Sequence, residues 1–340
     1  MTETLNIERT ADLVAWLRGR GRLAANGPVE CAVLAGGVSN RTVRVTQADR
    51  SLVVKQALAR LRVKDDWFAD PRRVHREALG LRRLAELTPP GSVPRFVDED
   101  HEHHLLVMEA VPEPHENWKV RLLREGPDPD HVRQFGRLLG TLHARSRAEA
   151  GELREVFGDR SFFESLRLEP YYRRAAERQP RARGFIDELI AETRGIQETL
   201  VHGDYSPKNV LVHDGRLVLL DHEVIHFGDP TFDLGFSLTH FFGKALHRPA
   251  QRERFLEAVG VYWEEYSAAA GSPAKADGLE ARAVRHTLAC LLARVDGRSP
   301  LEYLDETERA VQRQVVLDLI PCPPPDIPGL ARAVGERLAG

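Results

Sequence analysis

In "VHGDYSPKNVLV", residues 201–212, a histidine, an aspartate, a lysine and an asparagine fall within a dozen positions, bracketed by apolar residues. Asn209 follows Asp204 by five positions, and a second aspartate, Asp221, closes the next apolar run, "RLVLLD". Carboxylate and amide oxygens at that spacing suit metal-assisted phosphoryl transfer. Asp204 can orient a substrate hydroxyl and accept its proton, while Asn209 and Asp221 offer the hard oxygen ligands that Mg2+ needs beside the phosphates of ATP. Aspartate and asparagine also stabilise ordinary turns, so "HGD" by itself leaves both readings open. The chemical reading requires the spaced asparagine and the returning aspartate to coincide with it, and all three are present.

Those residues need elements to hold them. "VLV" and "LVLL" flank "HDGR", and Asp-Gly is a strong signal for a two-residue hairpin turn. The polar loop thus leads into one strand, and the other returns Asp221. Upstream, residues 7–19 space Ile7, Leu13, Val14, Trp16 and Leu17 as on an amphipathic helix. Strand-like runs follow at "VECAVLA", "RTVRVTQ" and "SLVVKQAL"; "GGVSN" separates the first two and "ADR" joins the last two. "DPRRVHREALGLRRLAEL" reads as a helix capped by Asp70, with Pro71 in its first turn and a stop at Thr88-Pro89-Pro90-Gly91. Two more strands, "RFVDED" and "HHLLVMEAV", run to a break at Pro112 and Pro114. The break divides a small β-rich lobe, 1–111, from a larger and mainly helical one, 112–340. There "DPDHVRQFGRLLGTLHARS" stripes Val132, Phe135, Leu139, Leu142 and Ser146 along one helix face, and a final helix follows the spacer "PCPPPDIP".

With 340 residues, 42% hydrophobic and 29% charged, the chain has the composition of a globular enzyme with room for two cores. A net charge of −3 provides no field for nucleic acid or an anionic membrane. Arg-rich stretches such as "YYRRAAERQPRARG" read as solvated helix faces. Cys31, Cys290 and Cys322 share no metal or disulfide spacing, the start "MTETLNIERT" lacks the regions of a signal peptide, and no apolar run reaches membrane length. A cytoplasmic protein is expected.

"HGDYSPKN", "LLDHE" and "GDPTFDLG" together resemble the aminoglycoside phosphotransferase and choline kinase superfamily, and the resemblance covers nearly the whole chain. It implies an α+β, bilobal, protein-kinase-like fold: a small N-terminal antiparallel-sheet lobe for the nucleotide and a larger, mainly helical lobe for catalysis and the acceptor. By that match Asp204 is the catalytic base and Asn209 and Asp221 bind Mg2+. Glu223 is a further acid at the metal or just behind it, Asp233 buttresses the loop, and His202 serves as scaffold. Such a kinase needs a strand lysine on the α- and β-phosphates and a helix glutamate to hold it. Lys55 lies in the apolar strand "LVVKQAL" and is one of only six lysines in the chain. Glu77 lies between Val74 and Leu81 on an apolar stripe, where an unpaired carboxylate is costly. The two solve each other's burial problem, whether as kinase machinery or as a structural ion pair. "AGGVSNRT" (35–42) would cover the phosphates with backbone N–H groups, Ser39 and Asn40, and the backbone of Glu109 and Val111 in "LLVMEAV" would meet adenine.

The short stretch between Asp221 and Asp233 leaves no segment to dock a polypeptide, so the expected partner is a small-molecule hydroxyl acceptor: sugar-like, an amino alcohol or an aminoglycoside. "VVKQALARLRVKDDWFADPRRVHREA" is similar to 5-methylthioribose kinases. In that resemblance "LLARVDGRSPLEYL" brings Arg294 and Arg298 to the acceptor, without the adjacent arginine pair of those enzymes. The alternative is a nucleotide-binding pseudokinase that regulates a partner, which ATP turnover would distinguish. Other residues have plainer readings. His143 reads as a core-edge histidine, His101, His103 and His104 as a solvated turn, and Trp67 and Phe68 as cleft lining or a cover for the small lobe.

Overall fold

The computed structural model describes residues 5–34, 39–62, 67–271 and 278–339. Apolar alternation builds five strands in the N-terminal part: β1 (Glu30–Val33), β2 (Asn40–Gln47), β3 (Arg50–Ala57), β4 (Phe96–Asp100) and β5 (Leu105–Glu109). They form one antiparallel sheet in the order β1-β2-β3-β5-β4. Helix α1 (Thr10–Gly19) lays Leu13 and Leu17 on one face, over Val43, Val45, Leu52 and Val54. Helix α2 (Arg73–Leu87) packs Val74, Ala78 and Leu81 on the other, against Ala57, Leu106 and Met108. Side chains along a strand alternate between faces. Leu52 and Val54 therefore point to α1, and the register of β3 sends Lys55 to α2.

Helix α2 starts later than a cap at Asp70 would give. Asp70 Oδ1 accepts the Arg72 N–H at 2.8 Å, and the Asp70 and Pro71 carbonyls accept from Arg73 and Val74 at 3.2 Å each. These i→i+3 bonds make a tight lead-in turn, so the carboxylate caps that turn rather than the helix.

Past Pro114 the chain joins a second sheet, where β6 (His115–Asn117) pairs with the hairpin of β8 (Val210–His213) and β9 (Arg216–Leu219). The hairpin turn is Asp214-Gly215, with φ of +48° and +70°, the left-handed pair that matches the twist of the flanking strands. After helix α3 (Trp118–Glu125), Asp128 caps helix α4 (Pro129–Ala148), accepting the Asp130 N–H at 2.8 Å. The buried face of α4 carries Val132, Phe135, Leu139, Leu142 and Ser146. It lies tightly on the helix Arg252–Ala270: a Cβ on Gly136 would stand 2.4 Å from the Tyr262 carbonyl oxygen. The helix Pro230–His247 is buried on nearly every side, with Leu279–Asp296 packed along it. The final helix spans Ile327–Ala339. Sheet lobe and helical lobe together make the α+β bilobal architecture. Among the described residues no helix is long and apolar enough to cross a membrane.

Candidate functional site

Strand β7 (Thr199–Val201) pairs with β10 (His226–Gly228), which pins both ends of the segment between them. From below, Asp233 in the first turn of Pro230–His247 holds the start of the loop. Its Oδ2 accepts the His202 N–H at 2.7 Å and its Oδ1 accepts the Gly203 N–H at 2.8 Å. Gly203 has φ +77°, and a Cβ there would lie 2.8 Å from a Val224 methyl, so only glycine lets the chain turn under that residue. His202 Nδ1 accepts the Asp204 N–H at 3.1 Å, which leaves Nε2–H to donate to His222 Nδ1 at 3.1 Å. Burial lowers the His202 pKa, in keeping with this neutral tautomer. His143 is not at the core edge but fully buried, with Nδ1 on the Tyr266 hydroxyl at 3.0 Å and Nε2 3.5 Å from Asp233.

Asp204 is buried, and two cations hold the same oxygen: Arg167 Nη2 and Lys208 Nζ each lie 2.9 Å from Oδ2. Oδ1 is buried without a hydrogen-bond partner. Burial opposes ionisation of this carboxyl, but Arg167 and then Lys208 outweigh it and its pKa is lowered. Asn209 Nδ2 donates to the Asp204 carbonyl at 3.0 Å, which turns the amide oxygen away from the loop backbone. Arg167 sits in a π-helical stretch, Glu164–Arg173, and nothing in the sequence patterning singled it out.

Asp221 follows β9 in left-handed backbone, φ +68°, and meets the small lobe. Lys55 Nζ donates to Glu77 Oε1 at 2.5 Å and to Asp221 Oδ1 at 3.1 Å. Burial works against the Lys55 charge, but Asp221 and Glu77 more than restore it and hold its pKa above the ordinary value. Asp221 is likewise driven below the usual carboxylate range, with Lys55 and Lys208 overcoming burial. Glu223 Oε2 pairs with Arg73 Nε at 3.0 Å and accepts from Asn40 Nδ2 at 3.4 Å. Arg73 has no exposed surface and also donates to the carbonyls of Ser39, Leu58 and Asp70. It too was missed, although it shares the buried stripe of α2 with Glu77.

A cleft of about 610 Å³ is lined by Ser39, Asn40, Lys55, Asp204, Asn209 and Asp221, with Glu223 and Trp67 also on its wall. Residues 35–38 of the "AGGVSNRT" loop lie outside the described residues. Glu109 and Val111 are not among the lining residues, and the Glu109 N–H is committed to the Arg95 carbonyl at 2.9 Å. Arg294 stands one side chain behind the wall, donating to the hydroxyls of Tyr171 at 3.1 Å and Ser299 at 2.9 Å. Arg298 is not brought in; its side chain is exposed. Phe68 is 68% exposed, away from the cleft. His101 is exposed and stacks on His75, with ring centroids 3.9 Å apart.

Residues 30–271 match the phosphotransferase enzyme family. The chain belongs to that family. Among curated proteins, this phosphotransferase-family chain is 26% identical over 251 residues to a methylthioribose kinase of Pectobacterium atrosepticum, covering 64% of this chain and 62% of that protein. It therefore spans less than two thirds of that relative's length. A methylthioribose kinase of Yersinia pseudotuberculosis is 26% identical over 306 residues, covering 76% and 72% of the two chains. Among solved structures, an amicoumacin kinase in complex with AMP-PNP, Ca2+ and Ami superposes with a TM-score of 0.61 at 17% identity, over 96% of this chain and all of that one. A choline/ethanolamine kinase family protein from Mesorhizobium loti gives 0.51 at 15%, over 95% and 99%. At such identities the likeness is one of fold.

Proposed function

We propose that this phosphotransferase-family chain transfers the γ-phosphoryl group of ATP to a hydroxyl of a small molecule, with Mg2+. One observation carries the reading. Lys55, braced by Glu77, reaches Asp221 across the lobes in the same cleft where Asp204 keeps one oxygen unpartnered. In this scheme 1–111 forms the nucleotide lobe and 112–340 the catalytic and acceptor lobe. Lys55 steadies the α- and β-phosphates, and Ser39 and Asn40 close over them. Adenine lies against the backbone at Glu109 and Val111. The relatives' names support a small acceptor.

Asp204 Oδ1 is the base. The acceptor oxygen attacks the γ-phosphorus, the bond from that phosphorus to the ADP oxygen breaks with its electron pair leaving on ADP, and the hydroxyl proton passes to Oδ1. Arg167 and Lys208 on Oδ2 keep the carboxylate ionised and aimed. The donor set fits a hard cation: the Asn209 amide oxygen and the Asp221 carboxylate would hold Mg2+, which would neutralise charge on the phosphates when bound. Glu223 lies close by but is paired with Arg73, which suits support of that site. His202 and Asp233 set the loop's position without touching substrate.

Asp204→Asn tests the reading. Turnover should fall about 10²–10⁴-fold, the usual worth of a general base, with nucleotide affinity nearly unchanged. A variant that keeps substantial turnover removes Asp204 from the role. Nucleotide binding without turnover of any acceptor by the unaltered chain would instead favour a regulatory pseudokinase.

A further inference from the structure

Beneath the acceptor end of the cleft lie buried cations that the scheme above does not use. Lys244, on the helix Pro230–His247, has no exposed surface and forms no ion pair among the described residues, Glu302 acting on it only at longer range. Among the described residues its Nζ donates only to the His240 carbonyl, at 3.3 Å, and it stands 5.1 Å from the centroid of the Tyr303 ring. Arg294 is buried too, and its partners are neutral: the Tyr171 hydroxyl and Ser299. Its Nε, the Tyr303 hydroxyl and both ring nitrogens of His240 are buried without hydrogen-bond partners. Toward the cleft the positive charge continues through Arg167 and Lys208, which share Asp204, and through Lys119, 2.6 Å from the largely exposed Glu302. Five cations thus face three carboxylates: Asp204, Glu302 and Asp221, the last of which Lys208 shares with Lys55.

A buried cation without a counter-charge is costly, and a fold keeps such a cluster where a ligand supplies what is missing. We infer that the acceptor carries an anionic group, a carboxylate or a phosphate, that docks on Lys119, Arg167 and Lys208, with Arg294 and Lys244 behind them. The inference rests on the kinase reading of the cleft. Two further signs agree with it. Burial would raise the Tyr171 phenol, yet Arg294, Arg167 and Lys208 pull it below its ordinary pKa. Burial drives Lys244 down to about 7, with Glu302 opposing and Lys119 and Arg294 adding to the shift. The same field disfavours a polycation. An anion placed over Lys244 returns its proton, so binding at pH 8 takes up protons.

The test uses the full chain saturated with AMP-PNP and Mg2+, so that nucleotide phosphate contacts are already filled. Matched probes are added at constant ionic strength: gluconate against glucose, ribose 5-phosphate against ribose, and kanamycin as the polycation. The first pair reads a carboxylate, the second a phosphate. At least one charged probe should raise Tm, bind with proton uptake at pH 8 and, with ATP in place of the analogue, give a kcat/KM at least about tenfold above its neutral partner. Lys244→Met should weaken that binding about tenfold while melting no lower than the unaltered protein, because it removes an uncompensated charge. The inference falls if neither charged probe shifts Tm, or if glucose, ribose or kanamycin serves as well. It also falls if Lys244→Met melts lower yet binds the charged probe unchanged. Nucleotide binding and turnover that persist in those cases leave the kinase reading standing.

Discussion

Asp233→Asn removes one of the two acceptors that hold the start of the 202–209 loop. In the unaltered chain both carboxylate oxygens accept buried backbone N–H groups, at 2.7 Å from His202 and 2.8 Å from Gly203. Hydrogen bonds to a charged partner contribute about 1.5–3 kcal/mol each. Asparagine keeps one acceptor but turns an NH2 toward the other N–H, so the expected cost is about 2–3 kcal/mol. Alanine leaves both N–H groups unsatisfied and should cost about 3–5 kcal/mol. For a protein of this size each kcal/mol lowers Tm by about 2–4 °C. The asparagine variant should therefore melt roughly 4–12 °C lower, with alanine lower still. Gly203 has no room to shift toward Val224, so the strain passes to Asp204, and an error of about 1 Å there costs on the order of 10²-fold in turnover. Calorimetry and steady-state kinase assays give both readouts, with nucleotide affinity as the control. An asparagine variant with unaltered Tm and unaltered kcat would refute the view that Asp233 sets the loop.

Lys55→Ala should lose more turnover than Glu77→Ala, and the double variant should be scarcely worse than Lys55→Ala alone; additive losses in the cycle would break the pair. Asp221→Ala should weaken nucleotide binding only when Mg2+ is present, and identical titrations with and without the metal would place the cation elsewhere. Lys244 supplies a pH signature against its neighbours Glu302, Lys119, Arg294, His240 and Tyr303. Its folded pKa of about 7 lies below the ordinary value of about 10.4, so between the two the unfolded chain binds a proton that the native chain lacks. Stability measured against Lys244→Met should therefore rise from pH 7 to pH 10, and a flat difference would contradict the assignment.

Much of the site was legible because its residues interrupt simple periods. Lys55 breaks an apolar strand and Glu77 an apolar helix stripe, and a charge in either place requires a partner. Asp-Gly at 214–215 placed Asp221 beside the loop because only certain residues adopt the left-handed turn found there. Arg73 was legible by the same rule, since it lies four residues before Glu77 on one stripe, but arginine at a helix start reads as solvated. The long side chain defeats that habit: its guanidinium reaches four carbonyls and a carboxylate while staying wholly buried. The adenine contact expected at Glu109 and Val111 had no such signal. Backbone contacts at Glu109 and Val111 do not depend on their side chains.

Arg167 was hidden for a different reason. It lies in a π-helical stretch, Glu164–Arg173, where each turn is wider than that of an α-helix and the 3.6-residue phase is lost. A stripe drawn at helical spacing through "ESLRLEPYYR" does not show which side chains face inward. The structure turns Arg167 to Asp204 and Tyr171 to Arg294, both toward the cleft. The same irregular segment thus carries the contact that holds Asp204 and the phenol that joins the cleft wall to the buried cations behind it. Lys244 was obscured in the opposite way, by regularity: "FFGKALH" closes an apolar helix, and a lysine in a last turn ordinarily faces water and complements the helix dipole. Here the helix is enclosed on nearly every side, so the ammonium has no route to solvent. What sets the charge at that end of the cleft is therefore the burial of that helix, which the pattern along the helix itself does not disclose.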